Sequence, residues 1–77
     1  DPPLRRSYHE IVKAQLPEAP KDIVDLGCSV GMSTFTLQET FPGSSMTGVD
    51  LSPYFLAVAQ YRSDRRTSSE SSPTWVH

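Results

Sequence analysis

Two aspartates and a run of small residues are the parts of this 77-residue chain whose types and spacing could do chemistry. Asp25 stands two residues before Gly27, and Gly27-Cys28-Ser29-Val30-Gly31 follows as a loop where backbone can come close to a bound group. Asp50 comes 19 residues after Gly31. A small-residue turn between a strand and a helix aims backbone N–H groups at a ligand. An acid about 20 residues further on is where a βαβ nucleotide unit keeps the carboxylate for ribose hydroxyls. Phosphate chemistry fits the loop poorly. A G-x-G-x-x-G fingerprint begun at Gly27 needs glycine at 29 and 32, where the chain has Ser29 and Met32. A P-loop ends in Gly-Lys-Ser/Thr, whereas Gly31-Met32-Ser33 carries no lysine to neutralise phosphate. The residues favour a nucleoside site without phosphates, with an NAD(P)-binding unit as the weaker alternative. Asp50 taken alone could also be a helix-capping carboxylate.

The elements that must position these residues follow from patterning. Residues 23–26, Ile-Val-Asp-Leu, are apolar on both alternating sets apart from Asp25, which predicts a central strand covered on both faces. A carboxylate there is costly to bury unless bonded or paired, so Asp25 is expected to accept N–H bonds from the loop or to meet a ligand's ammonium group. Residues 31–41 read as a helix with Val30, Leu37 and Phe41 on one face and Met32 and Phe35 on another. Ser33 and Thr34 are its candidate caps or polar ligand contacts, and Pro42-Gly43 ends it. Residues 45–50 form a second strand, weakened by Gly48. Ser52 and Pro53 then suit the N-cap and first position of a helix running to about Arg62. Phe55, Val58 and Ala59 are expected inside, Gln60 outside, and Tyr54 and Tyr61 flanking.

The remaining segments frame this core. Residues 1–16 predict a helix opened by Pro2 and Pro3, striped by Leu4, Tyr8, Ile11 and Val12, and closed by Pro17 and Pro20. It reads as a packing helix, the alternative being a lid that brings Tyr8 or His9 to a ligand. His9 and His77 read as packing or surface residues rather than bases. Residues 63–73 are a polar loop, and Arg62, Arg65 and Arg66 read as a solvated helix end whose charge complements the dipole. Residues 74–77 begin a third strand. Alternating helices and strands imply an α/β fold with parallel strands and right-handed crossovers.

Composition narrows the partners. A formal charge of −2 predicts neither nucleic-acid nor membrane electrostatics. No apolar run approaches the ~18 residues of a bilayer span, and none of signal-peptide type opens the chain, so a soluble intracellular setting is expected. One cysteine, Cys28, excludes an internal disulfide and a multi-cysteine metal site, and no metal is expected. A thiol at a helix start can be reactive, but a space-filling Cys28 is the simpler reading. A chain this short buries roughly 60–65% of its unfolded surface, which makes for a marginal core. Its start at Asp1 suggests a processed or incomplete product.

Asp25-Leu26-Gly27-Cys28-Ser29-Val30-Gly31 resembles the first motif of class I S-adenosylmethionine-dependent methyltransferases. Thr47-Gly48-Val49-Asp50-Leu51-Ser52-Pro53 and the helix after it resemble that family's second strand and following turn. The wording is most similar to ubiquinone/menaquinone-biosynthesis-like small-molecule methyltransferases. The resemblance implies the N-terminal part of a Rossmann-like methyltransferase fold, three parallel strands with flanking helices. Residues 1–77 would be a partial S-adenosylmethionine-binding domain. Its parts are an N-terminal helical segment (1–20), the cofactor-binding core (21–62), the polar loop (63–73) and the start of the third strand (74–77). It implies that Gly27 and Gly31 let backbone lie against the methionine part, with Cys28 and Ser29 beside the cofactor. Asp25 would face the cofactor's amino group or organise the loop, Asp50 would hold both ribose hydroxyls, and Leu51 would pack on adenine. Ser29 stands where many members have glycine, and serine resists positive φ. The implied activity is methyl transfer to a small molecule, with a catalytically inactive fragment as the alternative; no catalytic residue can be named. The implied sheet has seven strands with the fourth beside the first. Residues 23–26 would therefore expose an open edge in this chain, and aggregation is expected of it in isolation.

Overall fold

The strand-loop-helix pattern is realised twice in succession. The structure, a computed structural model, describes residues 3–66 and 71–77, with side chains from residue 9 onward. The order is α1 (Pro3–Gln15), β1 (Asp22–Leu26), α2 (Met32–Thr40), β2 (Ser45–Val49), α3 (Pro53–Asp64) and β3 (Thr74–Val76). Every expected element is present within two residues of its expected ends. Pro2, the Leu4 and Tyr8 side chains of the expected stripe, and the loop centre at 67–70 lie outside the described residues.

The three strands form one parallel sheet in the order β1-β2-β3. Asp25 pairs with Gly48, and Gly48 with Trp75, so these three residues lie in one row across the sheet. That row faces the helices: Asp25 bonds Thr34 of α2, and Trp75 meets Phe35 of α2 edge to face at 5.6 Å between ring centres. The opposite face carries the alternate residues, and there Val24 is 58% exposed, Leu26 78% and Val76 42%. The expectation that β1 is covered on both faces therefore fails among the described residues. The two crossover helices, α2 between β1 and β2 and α3 between β2 and β3, share one hand and so stack on one side of the parallel sheet, and α1 packs against α2. Among the described residues, β1 is paired on one edge, with β2.

The core lies between sheet and helices and contains Cys28, Phe35, Phe41, Met46, Leu56 and Ala59. Two expected faces are corrected. In α3 the inward residues are Leu56, Ala59 and Ser63, while Phe55 and Val58 are 46% and 40% exposed. The phase is decided by room: Ala59 Cβ lies 3.2 Å from where a Cβ on Gly31 would stand, so only a small side chain fits at that point. In α1, Ile11 is 61% exposed instead of joining the inner stripe, and His9 is buried. In α2 burial extends around most of the helix, and it includes Thr34, Thr36, Gln38 and Thr40. Their polar groups are matched: Thr36 and Thr40 donate within the helix to the carbonyls of Met32 and Thr36 (3.0 and 2.8 Å), and Gln38 donates to the distant Ser71 O (2.7 Å).

The arginines of the α3 end, Arg62, Arg65 and Arg66, are exposed as the sequence predicts, and two of them lie over aromatic rings. Arg65 lies over the Tyr61 ring at 4.5 Å and Arg66 over Phe35 at 4.3 Å. Arg66 also approaches Glu39 at 3.5 Å on the surface, a pairing of small energetic weight. Their guanidinium heads meet the ring faces in cation–π contacts.

Candidate nucleoside-binding loop

Parallel strands place their C-terminal ends at one edge, and in open α/β sheets ligands bind in the crevice outside that edge. The loop 27–31 and the turn 50–52 both lie there. Gly27 N–H and Cys28 N–H donate to Val49 O at 2.7 and 3.0 Å, tying the loop to the end of β2. Ser29 N–H donates to Asp50 Oδ2 at 2.8 Å. The other oxygen, Oδ1, accepts from Ser52 N–H at 2.9 Å. These N–H bonds, Ser52 first and Ser29 next, hold the Asp50 carboxyl below the usual carboxylate range, so it is ionised at neutral pH. Asp50 N–H is fixed in turn on Val76 O at 3.1 Å.

Three loop residues take left-handed backbone: Gly27 (φ 71°), Ser29 (φ 55°) and Gly31 (φ 90°). The two glycines serve different needs. A Cβ on Gly27 would meet nothing within 4 Å, which leaves the outer side of the turn open for a bound group. A Cβ on Gly31 would stand 3.0 Å from the Trp75 ring and 3.2 Å from Phe35, so Gly31 faces inward onto aromatic packing. Gly31 also caps α2 without any side-chain bond, and the first N–H groups of such a helix have no intrahelical partner.

A cleft of about 210 Å³ runs over the loop, lined by Gly27, Cys28, Ser29, Val30, Met32 and Ser33. Sites for drug-sized ligands take roughly 300–1,000 Å³, so these residues form one wall of a larger site. Of the residues singled out from sequence, Gly27, Cys28 and Ser29 line the cleft and Asp50 is bonded to it. Gly31 and Asp25 lie beneath it, and Leu51 projects from the adjoining turn, 91% exposed. The Asp25 Oδ2 accepts from Thr34 Oγ at 2.8 Å, and Thr34 is fully buried. Thr34 therefore is not a cap. It anchors the first turn of α2 to β1, and the carboxylate within the strand is bonded as its burial requires. Burial, with Asp25 and Asp50 adding negative potential, pushes the Cys28 thiol up, which keeps it protonated and supports its space-filling role.

Trp75 is the residue that the sequence left unassigned. Its ring fills the space over Gly48, where a Cβ would come within 2.6 Å of it and 2.9 Å of Cys28 Sγ. Glycine inside a strand marks such a close approach, and Gly48 was the available signal. His77, at the end of the same strand, places Nε2 3.0 Å from Leu51 O and so joins β3 to the turn after Asp50.

Among the described residues, no helix is long and apolar enough to cross a membrane, and no three His, Cys, Asp or Glu residues are grouped to hold a metal. Residues 23–75 match the family described as a methyltransferase domain. Over 44 residues, 57% of this chain and 17% of the relative, the chain is 52% identical to the trans-aconitate 2-methyltransferase of Acidovorax sp. (strain JS42). It is 36% identical over 55 residues, 71% of this chain and 25% of the relative, to the demethylmenaquinone methyltransferase of Thermus thermophilus. The chain thus spans a quarter or less of the length of these relatives. A similar solved fold is magnesium protoporphyrin IX methyltransferase from Synechocystis PCC 6803 with bound S-adenosylmethionine. That likeness has a TM-score of 0.67 at 23% identity, over 94% of this chain and 34% of that one. The family match runs from the first strand through the loop and its clamping aspartate to Trp75, well over half of the sequence, and the chain belongs to the methyltransferase domain family.

Proposed function

We propose that this chain is the cofactor-binding part of an S-adenosylmethionine-dependent methyltransferase that acts on a small organic acceptor. The observation that carries the reading is the junction of Ser29 and Asp50. It brings a nucleoside-type acid, 21 positions away, onto a glycine loop at the carboxyl edge of a parallel sheet. Family membership and the small-molecule substrates in the names of the relatives support it. In this reading residues 1–77 are one partial domain, with the helical segment 1–20 packed on its core.

The residues suit the cofactor. Each Asp50 oxygen accepts one backbone N–H and keeps a further lone pair, so two ribose hydroxyls can add to the existing pattern. The open side of Gly27 admits the methionine part against backbone, and Cys28 and Ser29 wall it. Leu51, standing free beside Asp50, supplies an apolar surface for adenine. Asp25 acts through Thr34 by fixing where α2 begins, and Gly31 by letting the loop drop onto Trp75. The bound cofactor would supply an electrophilic methyl carbon on a sulfonium, which an acceptor attacks in line with the departing sulfur. The work of the chain is positioning: a rigid loop and a fixed ribose hold that carbon in a near-attack geometry.

The test is calorimetric titration of the full protein with S-adenosylhomocysteine and, separately, NAD. Binding of the first and not the second is expected, and Asp50→Ala should weaken it by about 10- to 100-fold through loss of charge-assisted bonds. Binding of NAD alone would overturn the reading.

A further inference from the structure

Ser29 is the one non-glycine residue among those described that has positive φ, at 55°. L-residues other than glycine resist this conformation, and it persists only where surroundings impose it. The surroundings here are few. Gly27 and Cys28 are held by the main chain of β2 through Val49 O, but the Ser29 N–H has a side-chain acceptor, Asp50 Oδ2, at 2.8 Å. The carboxylate is itself rigid, because Oδ1 is engaged by Ser52 N–H and the Asp50 backbone is tied to β3. We propose that Asp50 is a positioning residue for the loop in addition to facing the ligand. By holding Ser29 left-handed, it preforms the wall against which the nucleoside binds. The inference deepens the cofactor reading above and rests on it for the identity of the ligand. It explains how serine can occupy a position that glycine would fill without strain. The lowered proton affinity of Asp50 agrees with a carboxylate that is doubly bonded before any ligand arrives.

A ribose-only role and a positioning role differ when the ribose hydroxyls are removed. The experiment titrates the full protein with S-adenosylhomocysteine and with its 2′,3′-dideoxy analogue, in the wild type, Asp50→Ala, Ser29→Gly and the double variant. Positioning predicts that Asp50→Ala weakens the dideoxy analogue about 5-fold or more, although no hydroxyl remains to be lost. In the Ser29→Gly background the same substitution should change it by less than about 2-fold, because glycine takes the conformation unaided. Asp50→Asn, which keeps one acceptor, should recover part of the loss. Unchanged affinity of Asp50→Ala for the dideoxy analogue overturns the proposal and leaves the ribose role standing.

A ligand-free measurement separates this inference from the cofactor reading. Amide hydrogen exchange at Ser29 should be slow in the wild type and about 10-fold faster or more in Asp50→Ala, while the β1–β2 amides stay protected. If Asp50→Ala fails to fold, Asp50→Leu, close in size and without an acceptor, serves for the same comparison. If neither nucleoside binds the wild type, the cofactor reading fails and the exchange result alone decides the positioning role. Equal exchange at Ser29 in variant and wild type overturns it.

Discussion

Single residues in this chain are constrained by what stands directly above them. Gly48 lies under the Trp75 ring, where a Cβ would fall 2.6 Å from two ring carbons. Gly48→Ala should therefore destabilise the fold by about 1–3 kcal/mol, the range for overpacking a filled site. Urea unfolding of the full protein measures it, and Trp75→Leu in the same background should return part of the loss by freeing the space. Cys28 gives a second residue-scale test. Buried at 2% exposure and surrounded by the Asp25 and Asp50 charges, its thiol ionises above the ordinary range. Iodoacetamide at pH 8 should label native Cys28 about 10-fold or more slowly than the unfolded chain. The linkage has a definite sign. The unfolded thiol ionises near 9.0 and the folded one higher, so stability is unaffected at lower pH and falls as pH rises past that value. Rapid labelling of folded protein would argue for a reactive thiol.

At the scale of elements, the start of α3 was the most legible feature. Ser52 accepts from Phe55 N–H at 3.2 Å and Pro53 occupies the first helical position, both as the sequence predicts. Ser52→Ala should cost about 1 kcal/mol, the usual value of such a cap, seen as a lower urea midpoint with unchanged slope. Activity should fall little, since Asp50 takes the backbone N–H of residue 52, which alanine retains. The other helix start was less legible. Ser33 and Thr34 look like caps for α2, yet Gly31 occupies that place and Thr34 turns inward to Asp25. Local propensity favours a hydroxyl at a helix end, but the half-buried carboxylate in β1 has greater need of a donor. The inner face of α3 was misread for a related reason. Phe55-Val58 and Leu56-Ala59 both fit the period, and close packing against Gly31, remote in sequence, where Ala59 Cβ lies 3.2 Å from where a Cβ would stand, selects the smaller pair.

At the largest scale, the described residues form one parallel sheet with α2 and α3 stacked on the same side. Val24, Leu26 and Val76 line the bare side and are 58%, 78% and 42% exposed. An apolar sheet face beside an open strand edge is a template for association. As a separate 77-residue polypeptide the chain should bind a hydrophobic dye and self-associate at micromolar concentration. Light scattering and dye fluorescence check this, and Leu26→Lys should reduce both. A monomeric, cooperatively melting peptide with an ordinary urea slope for its length would contradict it.

Sequence by itself determined the order of elements, the parallel α/β class and the pairing of a small-residue loop with an acid 19 residues on. These follow from short-range periodicity, from glycine and proline punctuation and from a fixed interval between loop and acid, all written locally in the chain. Tertiary structure alone decided which way each functional side chain turns. Gly27 opens to the cleft while Gly31, of the same type in the same loop, faces Trp75 from more than forty positions away. Asp25 turns to Thr34, and Asp50 grips Ser29 and Ser52. A residue's type fixes what bonds it can make, but only packing between distant segments fixes which partner is within reach. For that reason the loop could be found from sequence, and the clamp that shapes it could not.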